Sequence, residues 1–356
     1  MTKKILHWLS SNRYSGAENV AISIIRHLSN EYEFAYMSPA GPIERILLEN
    51  GIKYFPLNKP SFRDAEAVLK SWKPDLIHAH DFRASIDSAR SRYRCTRISH
   101  IHQNPPWIKG INPKTWVYLL SCMRTQGVIL VSPQILREAS FAKLIRDKVT
   151  VLSNFVDTQR VVRESKFEDN CMSYDLLFVG RLTEVKDPVF FLSIVKELRR
   201  TIPNIQAALV GGGKLLEYCK LASLEMGIHK NVDIYGELSN PFPIMANSRL
   251  LLITSKYEGF GLVAVEAMAL GKPVIAKPVG GLIDIIDGTN GELCSDTGQF
   301  VAAITRALMD PKYYSYMSNN AMLTASRYAD VHQWKSILRS IYEGALAERN
   351  NGTNGW

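Results

Sequence analysis

Glu258 and Glu266 sit eight residues apart, with Gly259, Phe260, Gly261 and Leu262 between them and the run Val263-Ala264-Val265 leading into the second carboxylate. The apolar run Arg249–Thr254 that precedes them has the length and flanks of a buried parallel strand, and Pro273–Ala276 reads as the next one. The glycine-rich loop therefore lies at the carboxyl end of a strand, where open parallel sheets bind ligands. Gly259 and Gly261 allow backbone N–H groups to approach a ligand closely. A carboxylate inside an apolar helix needs a partner, because an unpaired buried charge is costly. For Glu266 taken alone, a neighbouring backbone group or arginine is as good a partner as a ligand.

A second pair is cationic. Arg181 and Lys186 follow Gly180 at the end of the run Tyr174–Val179, and Pro188 stands where a helix begins. Two cations at a strand's carboxyl end, beside a helix N-terminus, make a diphosphate clamp. They would also stabilise charge building on a departing nucleoside diphosphate. A lone Arg–Lys pair in a loop is otherwise a solvated basic face. Gly211-Gly212-Gly213-Lys214 repeats the strand–glycine–helix pattern, and glycines there often serve turn geometry alone. His78 and His80, and again His100 and His102, end two strands with alternate spacing that puts both rings on one face, as a metal pair would need. The sequence suggests no third ligand or carboxylate for them, and it has no Asp-x-Asp pair, so no metal is expected. No Gly-x-Gly-x-x-Gly follows the first strand, which argues against a nicotinamide dehydrogenase.

Together these residues resemble the retaining glycosyltransferases of family 4, the glycosyl transferases group 1. The resemblance covers nearly the whole chain and is densest over 174–295. It implies two Rossmann-like α/β domains (the GT-B fold) facing each other across a cleft, with a C-terminal helix crossing back to the first. It also implies the site roles. Glu258 would lie beside the donor sugar and its phosphates, and Glu266 would accept from the ribose hydroxyls. Gly180, Arg181 and Lys186 would hold the diphosphate. The loop Gly259-Phe260-Gly261-Leu262 and the turn at Gly212 would lie against the donor, with Tyr235 and Gly236 meeting the base. In the first domain, Ser15-Gly16-Ala17-Glu18 resembles the family's turn near the donor phosphate, with Gly16 kept and Ser15 replacing a glycine. His102 would reach the donor sugar and His80 the acceptor side, while His78 and His100 are read as structural. Asp284 replaces a usual Glu, and Phe155 replaces a usual Gly. The implied catalytic set is Glu258, His102, Arg181 and Lys186, with the nucleotide sugar as co-substrate and no separate cofactor. The expected activity is transfer of a sugar, from a UDP-sugar by preference, to a hydroxyl of a glycan or lipid-diphosphate-linked acceptor in bacterial surface-polysaccharide synthesis. An epimerase of the same fold and a non-catalytic transferase subunit are the alternatives. The first would isomerise its sugar nucleotide without acceptor, and the second would tend to lack the clamp and carboxylates.

The elements that must position these residues alternate strand and helix from the start, the mark of parallel sheets. Strands are expected at Lys4–Leu9, Glu33–Met37, Lys53–Pro56, Leu76–Ala79, Arg97–Ile101, Gly127–Val131 and Val149–Leu152. A second series follows at Tyr174–Val179, Ile205–Val210, Val232–Tyr235, Leu250–Thr254 and Val274–Ala276. Helices are expected over Ala17–Leu28, Asp64–Trp72 and Pro133–Phe141. The polar stretch 158–173 reads as a linker between domains 1–157 and 174–328, followed by a crossover helix over 329–348 and a disordered tail, 349–356. A length of 356 residues suits two such domains. The net charge of +9 is uneven: residues 1–160 hold 23 Lys and Arg against 13 Asp and Glu, and the remainder is close to neutral. The first half therefore faces something anionic. No nucleic-acid motif accompanies it, so a phosphate-bearing acceptor or an anionic membrane fits better. The cluster Arg90, Arg92, Arg94, Arg97 and the basic-rimmed amphipathic stretch Asn112–Gln126 are candidates for that contact. Five scattered cysteines and no run of about 18 apolar residues suggest a cytoplasmic protein touching at most the inner face of the plasma membrane. The basic, then apolar start is too short for a signal peptide and reads as the first strand.

Overall fold

In the computed structural model, which describes residues 2–58, 62–166 and 172–352, the strands form two all-parallel sheets. The first comprises β1 (Lys4–Trp8), β2 (Glu33–Pro39), β3 (Tyr54–Leu57), β4 (Leu76–His80), β5 (Thr96–Ile101), β6 (Gly127–Leu130) and β7 (Val149–Val151), in the order β3-β2-β1-β4-β5-β6-β7. The second comprises β8 (Tyr174–Val179), β9 (Ala207–Val210), β10 (Val232–Gly236), β11 (Ser248–Ile253), β12 (Val274–Ala276) and β13 (Gly291–Leu293), in the order β10-β9-β8-β11-β12-β13. Helices cover both faces of such sheets, so central strands are buried throughout rather than on alternate residues. β4 and β5 are buried at every position, and Leu250 to Ile253 of β11 are buried in a row. In each sheet the chain starts in the middle, runs to one edge, then returns to build the other half. The reversal falls between β1 and β4 in one sheet and between β8 and β11 in the other. Ligand crevices open at such switch points.

The chain divides into two compact units, Met1–Asn154 with Val331–Trp356, and Phe155–Asp330. The C-terminal helix Val331–Gly352 thus belongs to the first unit. Its Arg339 donates from Nε and Nη2 to the two oxygens of Glu31, at 2.7 and 2.8 Å. Trp334, Leu338 and Tyr342 of its apolar stripe are buried.

Three expectations change. Much of the stretch read as a linker is helical: Thr158–Glu164 forms a helix whose first turn is capped by Asp157, which accepts from the Arg160 N–H at 2.8 Å. A single Asp cap and Val161 outweigh the polar composition, and the helix packs inside the second unit. Residues 167–171, Cys171 among them, lie outside the described residues. The helix expected over Pro133–Phe141 ends at Glu138 and gives way to 3-10 turns over Ser140–Lys148. The C-terminal helix reaches Gly352, four residues into the expected tail, and 353–356 lie outside the described residues. Cys95, Cys122, Cys219 and Cys294 are buried. Among the described residues, no helix is long and apolar enough to cross a membrane.

Candidate active site

At the switch point of the second sheet, the loops after β8 and β11 are strapped together. Thr254 Oγ1 donates to the carbonyls of Lys186 and Asp187, both at 2.9 Å, and the Lys256 N–H bonds the Val185 carbonyl at 2.7 Å. This brings Lys186 onto Glu258, and the two form a direct ion pair. Ser255 Oγ donates to the same carboxylate oxygen at 3.3 Å. Both side chains keep some exposure, so the pair can open to a ligand. Asp187 holds a left-handed φ of 52° at the cap of helix Pro188–Leu198, a strained geometry common at functional sites. Its carboxylate receives Lys277 Nζ at 3.2 Å, and that ammonium also lies 4.0 Å from the centre of the Phe190 ring. Lys277 was missed in sequence, although its place directly after β12 is a usable signal. Arg181 extends, exposed, from the same loop as Lys186.

The glycines are there for close backbone approach. A Cβ on Gly211, whose φ is 148°, would fall 1.8 Å from the Gly180 carbonyl oxygen, so only glycine lets the turn after β9 press against the turn after β8. Gly212 continues the contact by accepting from the Leu182 N–H at 2.8 Å. Across the site, the Gly281 N–H bonds the Gly259 carbonyl at 3.0 Å, which locks the loop Gly280-Gly281 onto Gly259-Phe260. Gly261 caps helix Leu262–Ala269. The amides of that helix's first turn are the donors every helix start leaves without a partner inside the helix.

Glu266 lies on this helix, beside the helix that carries Arg160. Burial pushes its carboxyl up to about 7, with the Arg160 charge pulling the other way. One expectation needs correction at the side-chain level. Phe260 is buried edge-on against Tyr328, with ring centres 5.2 Å apart, so only its backbone is available to a ligand. Tyr235 spends its hydroxyl on Tyr174, 2.6 Å away, and Gly236, with a φ of 74°, is the turn residue beyond it. Asp284 sits on the short helix Leu282–Ile285 after the glycine loop.

At the switch point of the first sheet, the chemistry differs. Gly16 opens helix Gly16–Leu28, and the hydroxyl of Ser15 before it bonds the buried carboxylate of Glu18. His7 of β1 pairs in register with His78 of β4, and His80 with His100 of β5. With His102 these make one buried cluster of five imidazoles. His7 Nδ1 meets His80 Nε2 at 2.8 Å, and His80 Nδ1 meets His102 Nε2 at 2.8 Å. His78 bridges His100, at 3.1 Å, and the Tyr342 hydroxyl, at 2.8 Å. Burial lowers all five pKa values, His7 and His102 to about 3, so the rings are neutral at physiological pH. His7 supplies the third ring that the sequence reading lacked, and two triplets bring ring nitrogens within 4.8 Å. Nitrogens around a zinc ion at about 2.0–2.1 Å stand farther apart than 2.8 Å, a separation that suits a shared proton. His102 is buried rather than presented to solvent. Its backbone N–H donates to Asp81 Oδ1 at 2.9 Å, and Asp81 adopts a left-handed φ of 63°.

The architecture is that of the GT-B glycosyltransferases. A solved structure from Anabaena, Alr3699/HepE in complex with UDP and glucose, superposes with a TM-score of 0.84 at 21% identity, covering 96% of this chain and 99% of that one. The sucrose-phosphate synthase of Thermosynechococcus elongatus gives a TM-score of 0.78 at 19% identity, covering 97% and 100%. The model for glycosyltransferase family 4 matches residues 14–160, and that for glycosyl transferases group 1 matches residues 163–324. The chain belongs to this family and is an enzyme of the glycosyltransferase class. Among curated relatives, it is 23% identical to the glycogen synthase of Mycobacterium tuberculosis over 79% of this chain and 70% of that one. It is 25% identical to the capsular polysaccharide biosynthesis glycosyltransferase CapH of Staphylococcus aureus over 74% and 78%.

Proposed function

We propose that this enzyme transfers a sugar from a UDP-sugar to a hydroxyl of a glycan or lipid-diphosphate-linked acceptor, with retention of the anomeric configuration, in surface-polysaccharide synthesis. The observation that carries the reading is the Lys186–Glu258 ion pair at the β8/β11 switch point, beside the glycine-rich loop that leads into the helix bearing Glu266. Lys186 and Arg181 take the diphosphate, and Glu258 turns from Lys186 toward the donor sugar as the phosphates arrive. Glu266 accepts from the ribose hydroxyls. The bond from the anomeric carbon to the phosphate oxygen breaks, and the acceptor oxygen bonds that carbon from the same face. The acceptor proton passes to the departing phosphate oxygen. Charge gathers on that phosphate, and the two cations stabilise it without a metal ion. Gly16 and His102 serve from the first unit, His102 as a neutral hydrogen-bonding group. Peripheral contact with an anionic membrane completes the reading and suits the basic first half.

The test is a panel of nucleotide sugars offered with and without simple glycosides as acceptors. Release of UDP and a product with the donor's anomeric configuration, read by NMR, supports the reading. Inversion, or isomerisation of the donor without acceptor, contradicts it.

A further inference from the structure

The helix Pro113–Cys122 is inverted. Its inward side carries Thr115, Tyr118, Ser121 and Cys122, which are buried, with Ser121 and Thr115 bonding backbone carbonyls. Outward it turns Trp116, Val117 and Leu120, respectively 54%, 48% and 62% exposed, and Met123 just beyond is 75% exposed. Spacings of one, three and four residues put these on one stripe. Apolar side chains in such a contiguous exposed row mark an interaction surface.

Beside this stripe lies a cavity of about 520 Å³ between helix Asp81–Arg90, the turn Pro106–Lys109 and helix Pro113–Cys122. Phe82, Ile86, Trp107 and Val117 make its apolar wall, and Arg83, Arg90 and Lys114 its cationic one. Asp87 also lines it, 3.9 Å from Arg83. Residues 81–126 hold eight Lys and Arg against two Asp and Glu. Of the eight only Arg97 is buried. It donates to the carbonyls of Ser88, Cys95 and Tyr93, and so leaves the basic cluster read from sequence to become a core residue. Helix Leu216–Glu225 in the second unit offers a contrast. It too turns Tyr218, Leu221 and Leu224 outward, but among Glu217, Lys220 and Glu225, with no cationic surplus.

We propose that the face formed by helices Asp81–Arg90 and Pro113–Cys122 docks on an anionic lipid bilayer. Trp116, Leu120 and Met123 enter the acyl region, an acyl chain enters the cavity, and the surrounding arginines and lysines take the headgroups. An apolar stripe with a basic rim is the pattern of interfacial helices. Charge decides against a second copy of the chain, since a self-paired face would bring two basic rims together.

The experiment is co-flotation of the full chain with vesicles of equal parts phosphatidylglycerol and phosphatidylcholine, and with pure phosphatidylcholine vesicles. The proposal rests on the membrane contact in the proposed function, but the assay needs no donor or acceptor, so its failure is distinguishable from failure of the transfer reading. Binding to the anionic vesicles alone, weakening as salt is raised, is expected. Leu120→Asp replaces an exposed residue and should keep the parent melting temperature while lowering vesicle affinity at least about tenfold. Lys114→Glu puts an acid in the first turn of its helix, where it is tolerated, and should weaken anionic-vesicle binding several-fold. Leu221→Asp, on the contrasting helix, should change nothing. Equal binding to neutral vesicles, no binding to either, or affinity unmoved by Leu120→Asp would overturn the proposal. So would a concentration-dependent dimer in light scattering that Leu120→Asp abolishes.

Discussion

The two sheets share one topology and place opposite chemistries at their switch points. Between β8 and β11 the site is built of backbone, with glycine turns pressed together at distances no side chain allows and one exposed-edged ion pair standing over them. Between β1 and β4 it is built of side chains, five stacked imidazoles locked to one another and to Tyr342. The first arrangement leaves N–H groups and mobile charges for a polyanion. The second removes charge, because desolvation holds every ring neutral. On the proposed function the lesson is a division of labour: the second unit would take the phosphate charge, while the first unit keeps neutral groups at its own switch point.

The largest effect that can break this contrast is acid. A histidine whose folded pKa is depressed contributes stability that is full above its unfolded value near 6.5 and is lost as pH falls below it. At pH 5.5, a unit below that value, each ring costs on the order of 1 kcal/mol, so the cluster together costs several. The first unit should therefore open near pH 5 while the second stays folded, with hydrogen exchange reporting faster exchange in β1, β4 and β5 only. Equal acid resistance in the two units would mean the rings are not held neutral.

Next in size is the backbone site. Gly211→Ala places a Cβ against the Gly180 carbonyl and should destabilise the second unit by about 3 kcal/mol. A thermal melt with no shift would deny that the turns are packed this tightly.

The two carboxylates should then fail differently. Glu266 is assigned contacts that change little between ground and transition state, so Glu266→Gln should raise the donor KM more than it lowers kcat, by about tenfold. Glu258 is assigned the reacting sugar and phosphates, so Glu258→Gln should chiefly lower kcat. Parent-like kinetics in both folded variants would make the loop structural.

The smallest effect is a pH dependence. Ribose hydroxyls favour ionised Glu266, whose pKa is about 7. UDP affinity should rise by up to about tenfold from pH 6 to 8 beyond the titration of UDP itself, and Glu266→Gln should remove that rise. An identical slope in parent and variant would take Glu266 out of the site.

Much of this was legible in sequence for a physical reason. Apolar runs in central parallel strands and glycines in tight turns are dictated locally, so both sheets and the Arg181–Lys186 and Glu258–Glu266 loops could be placed in advance. What was not legible depended on long-range register. His7 is one histidine in an apolar run, and only the β1–β4 pairing brings it to His78 and His80. Arg97 looked like its basic neighbours until three carbonyls were found around it. Lys277 follows a three-residue strand and meets Asp187 through a fold 90 residues deep. The helix at Thr158–Glu164 was hidden by its polar composition, and β13 by its sequence Gly-Glu-Leu, which lacks the β-branched residues of the equally short β7 and β12.

The central claim is that Lys186 carries donor phosphate charge without a metal. Calorimetric titration of UDP into the parent and into Lys186→Ala, both in EDTA, tests it most directly. The parent should bind under chelation and the variant about ten- to a hundredfold more weakly, the worth of one charge-assisted bond. Equal affinities in the two proteins, or parent binding that appears only when a divalent cation is restored, would contradict it.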